Sequence, residues 1–523
     1  AAFAAIDTNT GNATANVTGT DYTVAQLKTI NDATTGAIVL ATPTANLSGT
    51  VSDIKDAFAG TVTTHTGTVT ISDPDETDIS ATDLTTINTA ATGTITVTNN
   101  IDINGSGSEV ANAVGHLDVL SGTPTANISG TDYTVAHLKT INDKIGGALV
   151  LENSGVNLSG TVAQFKSAFN ETVTTHTGTV TISDAETTDI TATDITAINT
   201  ASNGLITVSN AIDINGSGSE VAAAFAAIDT NTGNATAHIT GTDYNVTQLK
   251  AINNKTTGAI VLANAGVNLS GSSSDIAEAL AGSVTAHTGT VTITNSNYTV
   301  SEIVTINNGT SGSLSFNTVD TPFVGSGADI ALALAGTTNY AGNVTLNDNS
   351  YTVAQLKTIN NGTSGSITLV NAGVNLSGEA ADIVAGFAGT VTTHTGTITI
   401  SDGNGEDVNA TDIITISSAS NGNITVSNNI DINGSGADVA NAVGQIDNFG
   451  LAAQTANITG GDYTVTHLVT INGAIGGAIV LNDATVALSG TVSQFKSGFA
   501  GTITTHTGTV EITDANTTDI TAT

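Results

Sequence analysis

The residues best suited to chemistry lie in one short stretch, VTTHTGTVTISDPDETDIS at positions 62–80. His65 is of the residue type that serves as a general base or a metal ligand, and the carboxylates after it could orient the imidazole or bind a hard cation. These carboxylates are Asp73, Asp75, Glu76 and Asp78. The stretch is therefore a reaction centre, a metal site or part of a scaffold, and the rest of the chain distinguishes these three.

The His-Thr-Gly motif recurs, and its recurrence argues against a reaction centre. The histidines are His65, His176, His287, His394 and His506. In a stack of coils the copies would lie about 19 Å apart, at roughly 4.8 Å per strand, so they cannot share one metal ion or one substrate atom. The acids after the motif shift in the second copy and are lost in the third, HTGTVTITNSNYT at 287–299. We therefore predict no catalytic residue, and a histidine in the turn before a strand.

A second group of acids stands before the predicted helices, each followed by an apolar or aromatic residue. Its members are Asp21, Asp78, Asp102, Asp132, Asp189, Asp213, Asp243, Asp431 and Asp462, and the six considered as metal ligands are Asp78, Asp102, Asp132, Asp189, Asp213 and Asp243. If the residue after each aspartate fills the same core position, Asp78, Asp102 and Asp132 stack in one column and raise one another's pKa. Calcium would relieve this repulsion, since it prefers carboxylates, carbonyls and water. We predict that the six aspartates bind calcium; the alternative is Asx-type turns beside the helix caps.

Alternating helices and strands would position these residues. In TVAQLKTIN (23–31), Val24, Leu27 and Ile30 recur at helical spacing, and GAIVLA (36–41) is typical of a strand. The pattern gives four helix–strand coils per 111 residues, roughly 28 residues each, as in leucine-rich-repeat-like solenoids. The predicted fold is a solenoid repeat whose coils each hold a short capped helix and a parallel β-strand, stacked into one elongated rod.

Self-similarity divides this single continuous solenoid, 1–523, into repeats of four coils or two coils. The tyrosine of a Tyr-(Thr/Asn)-Val motif recurs at Tyr22, Tyr133, Tyr244, Tyr298, Tyr351 and Tyr463. We predict four-coil repeats at 20–130, 131–241 and 350–460, two-coil repeats at 242–296 and 297–349, and a partial repeat at 461–523. The first residues recur at 223–244 and the last at 188–193, so we expect the chain to be a window from a longer protein.

Helix starts and helix ends carry their own chemistry. A Ser or Thr followed three positions later by Glu, Gln or Asp predicts a capping box. The predicted boxes start at Thr23, Thr50, Ser80, Ser106, Thr161, Thr191, Ser217, Thr299 and Thr352. Helix ends are predicted at Ile-Asn pairs such as Ile30-Asn31, because asparagine tolerates the left-handed conformation that closes a helix. Many acids are therefore expected to be helix-start residues.

Composition excludes several functional classes. The 523 residues include 45 acids and 9 lysines, with no arginine, and the net charge is −36. Such a chain has no basic patch for nucleic-acid phosphates and would be repelled by an anionic membrane surface. The lack of cysteine excludes disulfides and thiolate metal sites. The joint lack of cysteine, methionine and tryptophan favours an oxidation-tolerant extracellular protein.

Two stretches, DYTVAQLKTINDATTGAIVL (21–40) and GTVTISDAETTDITATDITAINTASNG (178–204), resemble the repeat regions of giant secreted bacterial surface proteins. The similarity is to those of marine cyanobacteria and to large adhesins related to the hemolysin-type calcium-binding family. It extends over the whole chain as repeat texture, and it implies export, a cell-surface or matrix location and a structural or adhesive role. The family's Gly-Gly-x-Gly-x-Asp nonapeptide is absent, so its calcium ligands cannot be carried over.

Together these observations predict an extracellular structural or adhesive scaffold, a segment of a giant surface, sheath or fibre protein stabilised by divalent cations. Expected partners are further copies, joined into longer rods or fibres, and cell-surface polysaccharide; nucleic-acid binding and membrane insertion are not expected. One alternative is a polysaccharide-active parallel β-helix enzyme, which would need an unrepeated cluster of acids and bases. Another is ice binding by threonine arrays, against which the outward positions run Val39, Thr70, Thr96 and Asn127.

Overall fold

The computed structural model describes residues 12–170, 172–337, 339–451 and 453–516. The described residues form two compact units: unit 1 holds 12–264 and 282–285, and unit 2 holds 265–281 and 286–516. Each unit consists of repeating coils in which short helices alternate with short parallel strands, so the predicted repeat architecture is confirmed at this level. Within each unit, every helix packs against the next helix along the chain.

Unit 1 contains nine helices and eighteen strands among its described residues. The helices are α1 Val24–Ala33, α2 Val51–Ala57, α3 Ala81–Ala90, α4 Gly107–Gly115, α5 Val135–Asn142, α6 Val162–Ala168, α7 Ala192–Ala201, α8 Gly218–Ala227 and α9 Val246–Asn253. The strands are β1 Ala15–Val17, β2 Ile38–Leu40, β3 Leu47–Gly49, β4 Val69–Ile71, β5 Asp78–Ser80, β6 Ile95–Val97, β7 Asp102–Gly105, β8 Val119–Leu120, β9 Thr125–Ile128, β10 Leu149–Leu151, β11 Leu158–Gly160, β12 Val180–Ile182, β13 Asp189–Thr191, β14 Ile206–Val208, β15 Asp213–Gly216, β16 Thr230–Asn231, β17 Thr236–Ile239 and β18 Ile260–Leu262.

Unit 2 contains nine helices and sixteen strands among its described residues. The helices are α10 Ser273–Leu280, α11 Val300–Gly309, α12 Gly327–Leu334, α13 Val353–Gly362, α14 Ala380–Gly386, α15 Ala410–Ala419, α16 Gly436–Gln445, α17 Val465–Ala474 and α18 Val492–Gly498. The strands are β19 Leu269–Gly271, β20 Val291–Ile293, β21 Leu314–Phe316, β22 Phe323–Gly325, β23 Val344–Leu346, β24 Ile367–Leu369, β25 Leu376–Gly378, β26 Ile398–Ile400, β27 Asp407–Asn409, β28 Ile424–Val426, β29 Asp431–Gly434, β30 Asn448–Phe449, β31 Thr455–Ile458, β32 Ile479–Leu481, β33 Leu488–Gly490 and β34 Val510–Ile512. No described helix has the length and apolarity needed to cross a membrane.

The strands pair in parallel into sheets of two to four members, with helices in the crossover connections that parallel pairing requires. Unit 1 has the strand orders β1-β2, β3-β4-β6-β8, β5-β7-β9-β10, β11-β12-β14-β16 and β13-β15-β17-β18. Unit 2 has β19-β20-β21, β22-β23-β24, β25-β26-β28-β30, β27-β29-β31-β32 and β33-β34. The core is aliphatic and in register: Ile79, Ile103 and Ala126 pair across β5, β7 and β9 and are all buried.

Many coils hold two strands where the sequence pattern indicated one. The predicted strands are present, for example β2 within GAIVLA and β4 within GTVTIS. The second strand, such as Leu47–Gly49 or Asp78–Ser80, directly precedes a helix and was not predicted. Three residues rich in Asp, Ser or Gly carry almost no period-two signal, and their polar side chains match cap and turn chemistry instead.

Helix starts follow the predicted capping chemistry in most coils. Thr23 Oγ1 accepts from Gln26 N at 3.3 Å, and Gln26 Oε1 accepts from Thr23 N at 2.9 Å. Reciprocal boxes also form at Ser106, Thr161, Ser217, Thr299 and Thr352. At Thr50 only the cap side chain takes part, because the Asp53 carboxylate pairs with Lys28.

Besides the box at Thr50, which lacks its return bond, two of the predicted boxes are wrong. Ser80 and Thr191 are N-caps, but neither makes a side-chain cap hydrogen bond. The carboxylates predicted to close these boxes form ion pairs with the preceding helix, Asp83 with Lys55 and Asp194 with Lys166. A tertiary partner has therefore replaced the local one.

The helix-end asparagines bridge helices and do not adopt the predicted left-handed conformation. Asn31 Nδ2 donates to the Asp56 carbonyl of the next helix at 2.5 Å, and its φ is not positive. The same bond joins Asn142 to the Ser167 carbonyl, Asn307 to Leu332, Asn360 to Ala385 and Asn472 to Ser497. Positive φ occurs instead at glycines after the following helix, such as Gly60 (φ 71°). These asparagines thus hold consecutive helices together.

Candidate functional site

Four of the five histidines of the His-Thr-Gly motif, His65, His176, His287 and His394, lie in the core, and His506 is partly exposed. His176 is fully buried, with Nε2 2.7 Å from the Val156 carbonyl oxygen and Nδ1 3.3 Å from Ser202 Oγ. Its ring centre lies 5.8 Å from that of Phe169. A carbonyl can only accept, so Nε2 carries the proton that it donates to Val156. The Ser202 hydroxyl lies within hydrogen-bond distance of both Nδ1 and the His176 carbonyl oxygen, at 3.3 Å from each, so both ring nitrogens have a polar neighbour.

The same geometry recurs in later copies, and the first copy departs from it. His287 pairs with the Val267 carbonyl (2.5 Å) and Thr310 Oγ1 (3.1 Å), and His394 with the Val374 carbonyl (2.7 Å) and Ser420 Oγ (3.4 Å). His65 faces Ala91, which has no hydroxyl. Neither ring nitrogen of His65 has a partner in hydrogen-bond geometry, although the nearby Ala45 carbonyl still favours its protonated form.

Burial sets the charge state of these imidazoles. Desolvation lowers the pKa of four of them, and the carbonyl beside each ring offsets part of that effect. The four are His65, His176, His287 and His394. A general base must reach the proton that it removes, and these fully buried rings contact no substrate unless the coil opens. Their geometry is that of core residues.

The acids after His65 serve backbone groups of neighbouring coils. Asp73 is 5% exposed, and its Oδ2 accepts from Val51 N, the first residue of α2, at 2.8 Å. Asp75 Oδ1 accepts from Asn100 N at 2.8 Å. Two of the four carboxylates of the opening stretch are thus committed to holding coils together.

Asp73 is one example of a recurring contact between coils, which the sequence reading missed. A side chain from a later coil accepts from the first N–H of a helix, which has no partner within its own helix. The pairs, at 2.8–3.2 Å, are Val51–Asp73, Gly107–Asp132, Val162–Asp184, Gly218–Asp243, Ser273–Asn295, Gly327–Asp348, Ala380–Asp402, Gly436–Asp462 and Val492–Asp514. The available signal was an Asp or Asn 21 to 26 residues after a helix start. We call these contacts the coil-to-coil caps.

Two of the six predicted calcium ligands are coil-to-coil caps. Asp132 Oδ1 accepts from Gly107 N at 3.2 Å, and its Oδ2 accepts from Ser108 Oγ at 2.9 Å. The hydrogen bond from Ser108 is the main cause of the lowered pKa of Asp132. Asp243 makes the corresponding contacts one repeat later, where the N–H of Gly218 is the main cause of its lowered pKa. Protein donors already satisfy both carboxylates.

The other four predicted ligands form two register pairs on adjacent parallel strands. The pairs are Asp78 with Asp102, on β5 and β7, and Asp189 with Asp213, on β13 and β15. A third such pair, Asp407 with Asp431, lies in unit 2. The next residue in the first column is Thr125 and not Asp132. The expected three-aspartate column is therefore wrong, because the loop before α5 carries Asp132 out of register to cap α4.

Amide side chains extend the first pair into a polar ladder. Asn104 Nδ2 donates to Asp78 Oδ1 at 2.7 Å, and Asn127 Nδ2 donates to Asn104 Oδ1 at 2.7 Å. In the second pair Asn215 takes the place of Asn104, at 2.9 Å from Asp189 Oδ1. The amides neutralise no charge, so each pair keeps two adjacent carboxylates.

The register pairs fit a hydrated cation better than an enclosed metal site. Calcium takes six to eight oxygen ligands, whereas each pair supplies two carboxylates. Asp78 is exposed and Asp102 is partly exposed, which leaves room for water to complete a coordination shell. Within the described ranges no three or more His, Asp or Glu side chains are grouped so as to hold a metal ion. Calcium binding by these residues stays a prediction.

An open groove of about 420 Å³ lies beside Asp189 in unit 1. Its polar lining consists of Lys166, Ser167, Asp184, Thr188, Asp189, Thr191 and Asp194. Lys166 Nζ lies 2.8 Å from Asp194 Oδ1, so the groove contains an ion pair among hydroxyl groups. Such a lining can donate hydrogen bonds to, and accept them from, a hydroxyl-rich ligand.

The outward threonines lie in a different column from the one expected for ice binding. Thr70 and Thr96 pair with each other, then with Ser48 on one side and Val119 on the other. The expected neighbours of this column, Val39 and Asn127, belong to other sheets. The expected column of Val39, Thr70, Thr96 and Asn127 was wrong because the coils contribute strands to more than one sheet.

Comparison with known proteins identifies no family for this chain. No protein-family profile matches the sequence, and no curated protein matches it closely enough to count as a relative.

Proposed function

We propose that this chain is a non-catalytic, extracellular structural or adhesive scaffold, a segment of a giant surface, sheath or fibre protein. The observation that carries the proposal is the recurrence of the coil-to-coil caps. At nine helix starts the first backbone N–H of the helix donates to a side chain of a later coil. Acids that resemble a reaction centre in sequence serve assembly of the stack, and they do so at the same position in copy after copy.

Composition and sequence resemblance support secretion and self-association. The chain has no cysteine, methionine or tryptophan, and a charge of −36 on 523 residues suits an ion-rich exterior. The repeat texture is similar to that of giant secreted bacterial surface proteins. On this proposal the chain joins other copies into longer rods or fibres, and polysaccharide of the cell surface is a further partner. The hydroxyl- and carboxylate-lined groove beside Asp189 is where we place a glycan.

Divalent cations stabilise the scaffold at the register pairs. Two adjacent carboxylates repel each other in the folded chain, and the repulsion is absent once the strands separate. A cation that binds the folded form alone stabilises it by mass action, by about 1.4 kcal/mol per site at a tenfold excess over Kd. Three pairs are available, Asp78 with Asp102, Asp189 with Asp213 and Asp407 with Asp431.

Thermal unfolding in calcium and in sodium tests this role. The melting temperature should be higher in about 10 mM calcium chloride than in sodium chloride of equal ionic strength, since simple screening would make the two salts equivalent. Asp78→Asn with Asp102→Asn removes one of the three pairs and should lower the calcium-specific increment by about one third. Identical melting curves in the two salts would exclude specific calcium binding.

A matched control removes two exposed acids that have no carboxylate beside them in register. Asp32→Asn with Glu152→Gln changes the net charge as much as one register-pair variant does, and both residues are exposed. This control should keep the full calcium increment. Loss of the increment in the control would assign the effect to total charge.

The alternative enzyme hypothesis has its own assay. Purified chain should release no reducing sugar from acidic or neutral glycans, while a pull-down on insoluble polysaccharide should retain it. Lys166→Ala with Asp194→Ala should weaken that retention if the groove holds the glycan. Measurable turnover would instead favour the polysaccharide-active enzyme.

A further inference from the structure

Unit 2 exposes an apolar surface where other coils carry ions. Val324 is 57% exposed and Leu332 is 48% exposed. Val324 lines an open groove of about 280 Å³ together with Val300, Ser301, Val304, Gly325 and Asp329. We call Val304, Val324 and Leu332 the apolar patch. An exposed apolar groove of this kind marks a site of interaction with another molecule.

The chain's own first coils carry charged residues at the positions of Val304 and Leu332. In α1 and α2, Lys28 Nζ lies 2.7 Å from Asp53 Oδ1 and 2.8 Å from Asp56 Oδ2. Aligning VAQLKTIN (24–31) with VSEIVTIN (300–307) places Val304 where Lys28 stands. Aligning the helices that follow places Leu332 where Asp56 stands.

The backbone contact between the two helices is the same in both places. Asn31 donates to the Asp56 carbonyl, and Asn307 donates to the Leu332 carbonyl at 2.6 Å. The alignment is therefore structural as well as sequential. The coil has exchanged a lysine and an aspartate for two aliphatic side chains without changing how its helices meet.

The strand beside these helices carries a third exchange of the same kind. The serine of a Leu-Ser-Gly strand faces outward at Ser48, Ser159, Ser270, Ser377 and Ser489. In β22 the corresponding sequence is Phe-Val-Gly, so Val324 takes the place of the serine. Three polar positions around one groove have all become aliphatic.

Charge around the patch selects the kind of partner. Asp329 keeps the place of Asp53, but the lysine that would pair with it has become Val304. No lysine occurs between Lys255 and Lys357, and Asp320 adds an exposed acid nearby in sequence. A second copy of this chain is a poor occupant of this particular patch, because its 9 lysines against 45 acids offer few cations to pair with Asp329.

We infer that the apolar patch docks a cationic amphipathic segment of another protein. The apolar side chains of this segment fill the groove between Val304 and Val324. Its lysine or arginine pairs with Asp329 and so supplies the positive charge that Lys28 supplies in the first coils. This is helix-in-groove recognition with an electrostatic rim. The inference is independent of the scaffold proposal, and it gives the coiled structure one attachment point that does not repeat.

Binding of a designed peptide tests the inference. The probe is a fluorescent amphipathic helix of leucine and lysine, about 14 residues or four turns long, measured by anisotropy in about 0.15 M sodium chloride. We expect saturable binding that Val304→Lys with Leu332→Asp weakens at least tenfold. This double variant restores the ion pair of the first coils and leaves the net charge unchanged, so it should fold and keep the general electrostatic attraction.

Controls separate the patch from acidity alone. Leu205→Ser removes an exposed apolar side chain in unit 1, and it should leave the affinity unchanged. A serine–lysine peptide of equal charge should bind at least tenfold more weakly than the leucine–lysine peptide.

Three results would overturn the inference. The first is equal binding of the leucine–lysine peptide to the double variant, and the second is equally tight binding of a leucine–glutamate peptide. The third is patch-dependent dimerisation in sedimentation without peptide binding, which would assign the surface to a second copy.

Discussion

The repeat around His65 and the repeat around His176 have the same backbone and differ in what supports the imidazole. In the second, Ser202 Oγ lies 3.3 Å from Nδ1; in the first, Ala91 stands in its place and leaves Nδ1 of His65 without a partner. Both rings are nevertheless fully buried. Packing therefore places the imidazole in the core, while the hydroxyl is an addition that stabilises it.

Aromatic packing is also more extensive in the repeat around His176 than in the repeat around His65. Phe165, Phe169 and His176 form a chain of rings, with centres 5.8 Å apart at each step. In the first repeat Ile54 replaces the first ring, and the single ring contact is Phe58 with His65 at 5.7 Å. The second repeat should therefore be the more stable of the two.

The largest expected effect comes from removing the first aromatic ring of the second repeat. Phe165→Ala should lower the local free energy of unfolding by about 3–5 kcal/mol, since it removes a fully buried aromatic side chain and leaves a cavity. Ile54→Ala should cost about 2–4 kcal/mol at the matching site. Hydrogen exchange of the amides in α6 and α2 measures both effects. A larger loss for Ile54→Ala would reverse the ranking of the two repeats.

Acid should destabilise both repeats through their histidines. Burial lowers the pKa of His65 and His176, while an unfolded histidine titrates near pH ~6.5. Above that pH both states are neutral and the stability is complete. As the pH falls from about 6.5 toward the pKa of the folded state, the unfolded chain binds protons at these histidines and the folded chain does not. The free energy of unfolding therefore decreases.

Melting temperatures between pH 8 and pH 5 check this sign. His176→Gln should melt lower at pH 8 but lose less on acidification than the native chain. Parallel pH profiles for the variant and the native chain would show that His176 does not titrate on unfolding.

Exchanging the residue opposite the imidazole should make the stabilities of the two repeats more alike. Ala91→Ser gives His65 the hydroxyl partner of the second repeat and should stabilise it by about 1 kcal/mol. Ser202→Ala strands Nδ1 of His176 and also removes the acceptor of Gly204 N, so it should cost about 1–2 kcal/mol. Local hydrogen exchange is again the measure, and stabilisation by Ser202→Ala would contradict the role assigned to the hydroxyl.

The smallest expected effect lies in the loop before β5 and β13. Glu76 and Thr187 both have φ 59°, where the fourth copy, the one after His394, has Gly405 at φ 72°. Thr187→Gly should stabilise its coil by roughly 0.5–1 kcal/mol, because a β-branched residue is strained there. Glu76→Gly should gain less, since Glu is not β-branched. Gly405→Thr is the reverse control, and a gain in stability from that change would rule out strain as the cause.

Periodicity predicted the helices because their core positions repeat within a few residues. The set Ala81, Leu84 and Ile87 of α3 is buried at helical spacing. Local chemistry likewise predicted most capping boxes, for example Thr23 with Gln26. The second strands escaped prediction because three residues such as Leu-Ser-Gly are too short to show a period.

The candidate cation site was predicted in part. The sequence pattern placed an aspartate, followed by an apolar or aromatic residue, before three of every four helices, and the pairing of Asp78 with Asp102 follows from that pattern. It could not show that Asp132 leaves the column to cap α4, because the cap joins residues 25 positions apart. The sequence pattern included Asp431 but not Asp407, so it did not predict that these two residues form a pair.

The sequence by itself determined the repeat, the helix positions, the aliphatic core and the acidic surface, because each depends on residue type or on spacing within one coil. Only the tertiary structure decided which carboxylate meets a helix start, which meets another carboxylate, and which hydroxyl meets an imidazole. Those choices depend on register between strands that lie more than twenty residues apart. A change of a few residues in a connecting loop leaves the local pattern intact and still moves a side chain from one column to another.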